Sequence, residues 1–279
     1  MEDAVVVGCI KETIGLIGSG NMARALAGGL VRSGMAAPGQ IVASDAVPSQ
    51  VERLVAECGV RAAGSNRAVV EAADIVVLCV KPFQVADVCA EVAPAAAEAD
   101  KLFVSICAGI PTRFIEEHLG GRPRVVRVMP NTPSMIGRGA SGVAGGAFCR
   151  PDDVERVAAL FRSVGVAVVV PEEQMDLVTG LTGSGPAYVY FLAEALIDAA
   201  VDLGMSAADA ETLVRQLMDG AGRLAFESDR PLAELRAAVT TKGGTTEAGL
   251  RALEEGGFRA LVRECVARAT ARSRELSKG

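Results

Sequence analysis

Residues 13–30 read TIGLIGSGNMARALAGGL, an apolar run that breaks into glycines and resumes with helical spacing. Ile14, Leu16 and Ile17 have the length and composition of a buried strand, and Gly18-Ser19-Gly20 forces a tight turn. Met22, Leu26 and Leu30 then recur at i, i+4 and i+8, and small residues between them let the helix lie close to a sheet. Gly18, Gly20 and Ala23 have the G-x-G-x-x-A spacing of a dinucleotide fingerprint. Gly18 permits the turn, Gly20 leaves room for a pyrophosphate, and Ala23 allows close helix-strand packing, so the first helical N–H groups face the phosphates. Glycine turns of this kind also occur in ordinary strand-turn-helix packing, so context decides. Here a second short strand, 41–44, ends at Ser44 and Asp45, about 25 residues past the glycines, where a Rossmann unit places the carboxylate that bonds the adenine ribose.

The bulk properties fit an α/β protein of one large or two modest domains. The chain has 279 residues, 50% of them hydrophobic and 22% charged, enough to bury a substantial core. A net charge of −6 with no basic block, no Trp, two Tyr and eight Phe argues against a nucleic-acid surface, which needs clustered cations and stacking aromatics. The longest apolar runs, such as 75–80 and 187–193, fall short of the roughly 18 to 20 residues that cross a bilayer, so no membrane span is expected. The opening MEDAVVVGCIKE has acids where a signal peptide needs bases, and reads as a leader into the first strand of a cytoplasmic protein. Seven widely spaced cysteines without a C-x-x-C read as reduced core residues. His118, the only histidine, gives a multi-histidine metal site no candidates and sits late in a surface-like acidic helix, so no metal is expected.

Along the chain, strand-like and helical segments alternate. Helices are expected at 51–57, 68–72 (capped by Ser65 or Asn66), 85–97, 111–119 and 152–164; strands at 60–62, 74–80, 101–107, 125–129, 143–144 and 166–170. Lys81-Pro82, Ala108-Gly109 and the loop Pro130-Asn131-Thr132-Pro133 all follow strands. They therefore fall at the carboxyl edge of a parallel sheet, where such folds bind ligands. Two prolines in four residues forbid regular structure there and make a fixed loop. Near Pro171 the strand signal stops, and the rest reads as helices: 175–204 with a glycine-rich interruption, 207–226, 231–238, 246–255 and 258–277. The expected domains are thus a Rossmann-type α/β domain at 1–172 and an all-helical domain at 173–279.

The helix at 187–203 has only Glu194, Asp198 and Asp202 as polar side chains beyond two tyrosines, one narrow acidic stripe on an otherwise apolar cylinder. About a hundred residues of helical domain cannot cover it, which predicts a dimer that exchanges helices. Two glycine-rich segments, TGLTGSGP (179–186) and VTTKGGTT (239–246), deliver free N–H groups and hydroxyls to helix starts and suit a small carboxylate.

Together, Ile17-Gly18-Ser19-Gly20-Asn21-Met22-Ala23, Val80-Lys81-Pro82, Met129-Pro130-Asn131-Thr132-Pro133, the segment 180–188 (GLTGSGPAY) and Gly243-Gly244-Thr245-Thr246 resemble pyrroline-5-carboxylate reductase over almost the whole chain. The resemblance implies reduction of the cyclic imine 1-pyrroline-5-carboxylate to L-proline by NAD(P)H, and a homodimer assembled into a ring of dimers. Carried across, Gly18, Ser19, Gly20, Asn21 and Met22 would cradle the pyrophosphate, with Ser44, Asp45 and Asn66 at the adenosine side. Val80, Lys81, Pro82, Ala108 and Gly109 would flank the nicotinamide ribose. Thr241, Gly243, Gly244, Thr245 and Thr246 would hold the substrate across the dimer interface, with Glu172 a further contact and Thr246 the catalytic hydroxyl.

Two positions depart from the family pattern. Asp45-Ala46 stands where members often have serine or an arginine-containing turn, and a carboxylate there favours NADH over NADPH. Lys242 replaces the usual proline, which predicts a less rigid loop. A reductase of another imine or 3-hydroxy acid, and a cofactor sensor without turnover, are the competing readings.

Overall fold

The computed structural model describes residues 9–276; the leader at 1–8 and the end of the last helix at Ser277 lie outside the described residues. Contacts divide the chain into two units, one formed by Met1–Ser184 with Arg268–Gly279 and the other by Gly185–Ala267.

The first unit alternates strands and helices. In chain order it contains β1 (Ile14–Ile17), α1 (Asn21–Arg32), β2 (Ile41–Ser44), α2 (Pro48–Cys58), β3 (Arg61–Ala62), α3 (Asn66–Ala72), β4 (Ile75–Leu78) and α4 (Val85–Ala97). Then come β5 (Leu102–Ser105), α5 (Thr112–Leu119), β6 (Arg124–Met129), β7 (Gly139–Gly145), α6 (Asp153–Arg162), β8 (Gly165–Val169) and α7 (Met175–Val178). The strands form one sheet in the order β3-β2-β1-β4-β5-β6-β7-β8. Neighbours from β3 to β6 run parallel, β7 runs antiparallel to β6, and β8 is parallel to β7. This is a doubly wound Rossmann-type sheet.

Each central strand feeds two cores. Ile14, Leu16, Ile75, Val77, Leu102 and Val104 pack on one face with Leu26 and Leu30 of α1 and Phe161 of α6. Ile17, Val76, Leu78 and Phe103 pack on the other with Val69 of α3, Val92 of α4 and Ile115 of α5. Burial on both faces is why these runs are continuously apolar rather than alternating. A fully buried Val, Leu or Ile contributes about 1.5–3 kcal/mol. Close helix approach also fixes one glycine: a Cβ on Gly15 would meet Val69 Cγ1 at 2.5 Å and Ala73 Cβ at 2.8 Å.

Several expectations change in detail. The strand expected at 143–144 extends over Gly139–Gly145 and pairs Val126 with Gly145 and Met129 with Gly142. Its small residues, GASGVAG, lack the β-branched bulk that marks a strand, yet β6 and β8 on either side hold it in the ladder. The two-proline loop contains a 3₁₀ turn, Thr132–Ile136, because proline fits the first positions of a helical turn. The acidic helix α5 is less exposed than its composition suggests. Glu116 is buried and accepts a hydrogen bond from Ala147 N at 2.9 Å. All seven cysteines are free, but Cys9 and Cys265 are exposed rather than core residues.

The second unit contains α8 (Gly185–Asp202), α9 (Ala207–Glu227), α10 (Leu232–Ala238) and α11 (Thr245–Glu255); α12 (Phe258–Leu276) begins in it and ends in the first unit. Ser206 caps α9, accepting from Asp209 N at 3.2 Å and donating to Asp209 Oδ2 at 2.7 Å. No residue of α8 is buried: Tyr190 is 60% and Phe191 73% exposed. An apolar helix this open within a single chain marks a surface for another protein chain. Among the described residues, no helix is long and apolar enough to cross a membrane.

Candidate functional site

The turn between β1 and α1 opens the site. Gly18 has φ +96°, and a Cβ there would stand 2.7 Å from Cys79 O, so only glycine fits. Gly20 is the N-cap of α1 and receives no side-chain cap. A Cβ on Gly20 would touch nothing within 4 Å. The protein itself leaves that space clear in front of the helix N-terminus, which fits a bound pyrophosphate.

At the end of β2, Asp45 faces this turn. Its Oδ2 accepts from Ser19 N at 2.7 Å and its Oδ1 from Val47 N at 2.9 Å. Each oxygen can accept a second bond, so the carboxylate remains able to receive ribose hydroxyls. Ser19 itself is buried and donates through Oγ to Ser44 O at 3.2 Å. Ser44 Oγ in turn donates to Asn66 Oδ1 at 2.8 Å, so Ser44, Asp45 and Asn66 are linked to the glycine turn.

The carboxyl edge of the sheet forms a cleft of about 430 Å³. The expected residues Gly20, Asn21, Met22, Val80, Lys81, Pro82 and Ala108 line it, joined by Met129, Pro130, Asn131 and Thr132. Gly109, with φ +73°, lies instead against Leu276: its Cβ would stand 3.3 Å from the Leu276 Cβ. Asn131 holds the wall in place, donating through Nδ2 to Thr182 O at 3.1 Å and accepting from Ala140 N at 2.9 Å.

Cys79 and Cys107 also line the cleft, unforeseen because nothing local separates a cleft cysteine from a core one. Burial pushes the Cys107 thiol up to about 11, and it donates to Val80 O at 3.3 Å. Burial raises Cys79 as well. Both stay protonated near neutral pH and offer no thiolate nucleophile.

Glu172 lies at the N-terminus of α5. Its Oε1 accepts from Thr112 N at 2.7 Å and its Oε2 from Thr112 Oγ1 at 2.6 Å. Buried Arg127 stands 3.8 Å from Glu172 and 3.4 Å from Asp176. His118 is occupied locally, with Nδ1 2.7 Å from Phe114 O and its ring stacked on Phe114. Among the described residues no cluster of His, Cys, Asp and Glu could hold a metal.

The two glycine-rich segments differ. Residues 179–186 are not an open loop: Thr179–Gly183 forms a π-helical turn, with Ser184 N bonded to Thr179 O at 2.9 Å. Thr179 and Thr182 donate back to Met175 O and Val178 O, so the hydroxyls continue the helix rather than await a ligand. In the second segment Gly244 N donates to Thr241 O at 2.9 Å and Gly243 has φ +74°. That is the pattern of a type II turn with Lys242 at its second position, where proline is favoured. Gly243 N donates to Glu247 Oε2 at 2.7 Å. The N–H groups of Thr245, Thr246 and Glu247 open α11 and have no intrahelical acceptor.

Residues 172–276 match a model described as pyrroline-5-carboxylate reductase dimerisation, and residues 13–109 one described as NADP oxidoreductase, coenzyme F420-dependent. The chain is 40% identical over 268 residues to pyrroline-5-carboxylate reductase of Methanosarcina acetivorans, covering 96% of this chain and 99% of that one. It is 42% identical to the Pseudomonas aeruginosa enzyme, covering 95% and 97%. A solved pyrroline-5-carboxylate reductase from Coxiella burnetii superposes with a TM-score of 0.92 at 37% identity, over 97% of this chain and 100% of that one. The Plasmodium falciparum enzyme with NADP bound superposes with a TM-score of 0.81 at 30% identity, covering 97% and 100%. On this likeness along nearly its whole length, the chain belongs to the pyrroline-5-carboxylate reductase family.

Proposed function

We propose that the protein reduces 1-pyrroline-5-carboxylate to L-proline with NAD(P)H, the last step of proline synthesis. The observation that carries this reading is the cleft that begins at the uncapped N-terminus of α1 and is walled by Lys81, Pro82 and Asn131. Gly18, Ser19, Gly20, Asn21 and Met22 hold the pyrophosphate; Ser44, Asp45 and Asn66 hold the adenosine side; Val80, Lys81, Pro82, Ala108 and Gly109 flank the nicotinamide ribose. The bound nicotinamide supplies the hydride. Thr241, Gly243, Gly244, Thr245 and Thr246 bind the substrate carboxylate and ring, and Thr246 Oγ1 donates to the imine nitrogen. Glu172, whose oxygens already hold Thr112, is the least direct of these contacts.

In this reading residues 1–172 bind the cofactor and 173–279 supply substrate contacts and a homodimer, with dimers assembled into a ring. The open apolar surface of α8 supports the dimer. A solution mass at a multiple of two chains is the expected result, and a monomer at micromolar concentration would remove it. Seven unpaired cysteines support a cytoplasmic enzyme.

The test is loss of absorbance at the reduced nicotinamide band with 1-pyrroline-5-carboxylate and NADH or NADPH. No turnover, despite nucleotide binding, would favour another imine or 3-hydroxy acid, or a sensor. Asp45 makes NADH the preferred cofactor, because a carboxylate repels a 2′-phosphate. Asp45→Ser is expected to shift the NADPH-to-NADH ratio of kcat/KM upward by about tenfold, equivalent to one lost charge contact. A ratio that stays within twofold would show that Asp45 does not choose the cofactor.

A further inference from the structure

Beyond the end of β2, next to Ser44, one interaction lies outside every motif. Asn66 is the first residue of α3, so its backbone is held by the helix, with Ser65 Oγ accepting from Ala68 N at 3.1 Å. Its side chain makes two contacts. Oδ1 accepts from buried Ser44 Oγ at 2.8 Å, and Nδ2 donates to Glu91 Oε2 at 2.7 Å.

The two partners are not equivalent. A serine hydroxyl both donates and accepts, so Ser44 is satisfied by either end of the Asn66 amide. A carboxylate only accepts. Glu91 therefore decides which way the amide points, keeping Nδ2 on its own side and Oδ1 on that of Ser44. One Nδ2 hydrogen is left over for a ligand oxygen.

We propose that Glu91, in the second turn of α4 and 25 positions beyond Asn66, is a positioning residue for cofactor binding that acts by fixing the orientation of the Asn66 amide. This rests on the reading above that Asn66 touches the adenosine side of the cofactor. Glu91 itself is exposed, so its substitution is expected to change stability little.

The experiment compares KM and kcat for NADH in Asn66→Ala, Glu91→Ala, Glu91→Gln and the double variant Asn66→Ala/Glu91→Ala. Asn66→Ala is expected to raise the cofactor KM about fivefold with kcat nearly unchanged, the size of one lost hydrogen bond. Glu91→Ala raises it about threefold. Glu91→Gln, which keeps an acceptor oxygen without the charge, returns it to within about twofold of the parent, and the double variant is no worse than Asn66→Ala alone.

If Asn66→Ala raises KM and Glu91→Ala does not, the positioning role is overturned while the assignment of Asn66 stands. If Asn66→Ala leaves both KM and the directly titrated NADH affinity unchanged, the assignment of Asn66 fails and the positioning role with it. Multiplying effects in the double variant, or no rescue by glutamine, would show that Glu91 acts through its charge and not through Asn66.

Discussion

Thr246→Ala is expected to lower kcat with 1-pyrroline-5-carboxylate by about 10²-fold, the lower end of what a positioned proton donor contributes. Reduced-nicotinamide affinity should not change. The reason lies in the helix start. Thr179, Thr182, Thr212 and Thr240 each donate their hydroxyl to the carbonyl four residues earlier. Thr246 is the second residue of α11, so the residue four positions before it is Lys242, outside the helix. Among the described residues no partner takes its hydroxyl, which remains half-buried beside the open N–H groups of the same turn. A cyclic imine gains reactivity when its nitrogen receives a hydrogen bond, and this hydroxyl is free to give one. Thr246→Ser, which retains the donor, should recover most of the rate. A kcat within twofold of the parent in Thr246→Ala would remove the hydroxyl from the chemistry.

The largest loss of stability is expected from Asp153→Ala. Arg124 opens β6 and is 8% exposed, yet its charge is held on both sides. Its Nη1 donates to the fully buried Asp153 Oδ1 at 2.7 Å, and its Nε to Asp100 Oδ1 at 2.9 Å. Asp153 also accepts from Arg150 N at 2.8 Å, tying the start of α6 to the same pair. Removing Asp153 leaves the buried Arg124 charge with only the exposed Asp100 opposite it, which costs about 3 kcal/mol, the lower end for a broken buried pair. Thermal unfolding should show a midpoint lower by about 10 °C. Asp100→Ala, which removes an exposed partner, should cost less than half as much. Equal losses for the two would mean that burial does not set the value of the pair.

These two sites were unequally visible in the sequence. The glycine turn, the strands that flank it and the cleft loop at Pro130–Pro133 could be read because local chemistry constrains them: positive φ at Gly18, continuous apolar runs at β1 and β4, and two prolines at the end of β6. The segment 239–246 could be read from its glycines and hydroxyls as a carboxylate site, but the choice of Thr246 among its threonines rests on a likeness of motifs. Only residues 143–144 of strand β7 carry a strand signal in the sequence, because glycine and alanine give almost none, and its place comes from β6 and β8. The π-helical turn at Thr179–Gly183 does not show in the sequence, because glycine reads as a break even where the chain keeps turning. Glu91, Glu116 and Asp153 could not have been found at all. Their roles depend on partners 25, 31 and 29 residues away, and neither composition nor spacing encodes those meetings.

The boundary between the two units has a consequence for any shortened form of the protein. The chain leaves the first unit at Ser184 and returns to it at Arg268, so in topological terms the helical unit is an insertion within the nucleotide-binding one. The returning end of α12 belongs to that first unit: Ser273 Oγ donates to Asp176 Oδ1 at 2.7 Å, and Leu276 lies against Gly109 at the end of the cofactor edge. Trimming the C-terminus therefore erodes the nucleotide-binding fold before it reaches the helical core. A self-sufficient nucleotide-binding module would have to keep both segments, Met1–Ser184 and Arg268–Gly279, rather than end at the first.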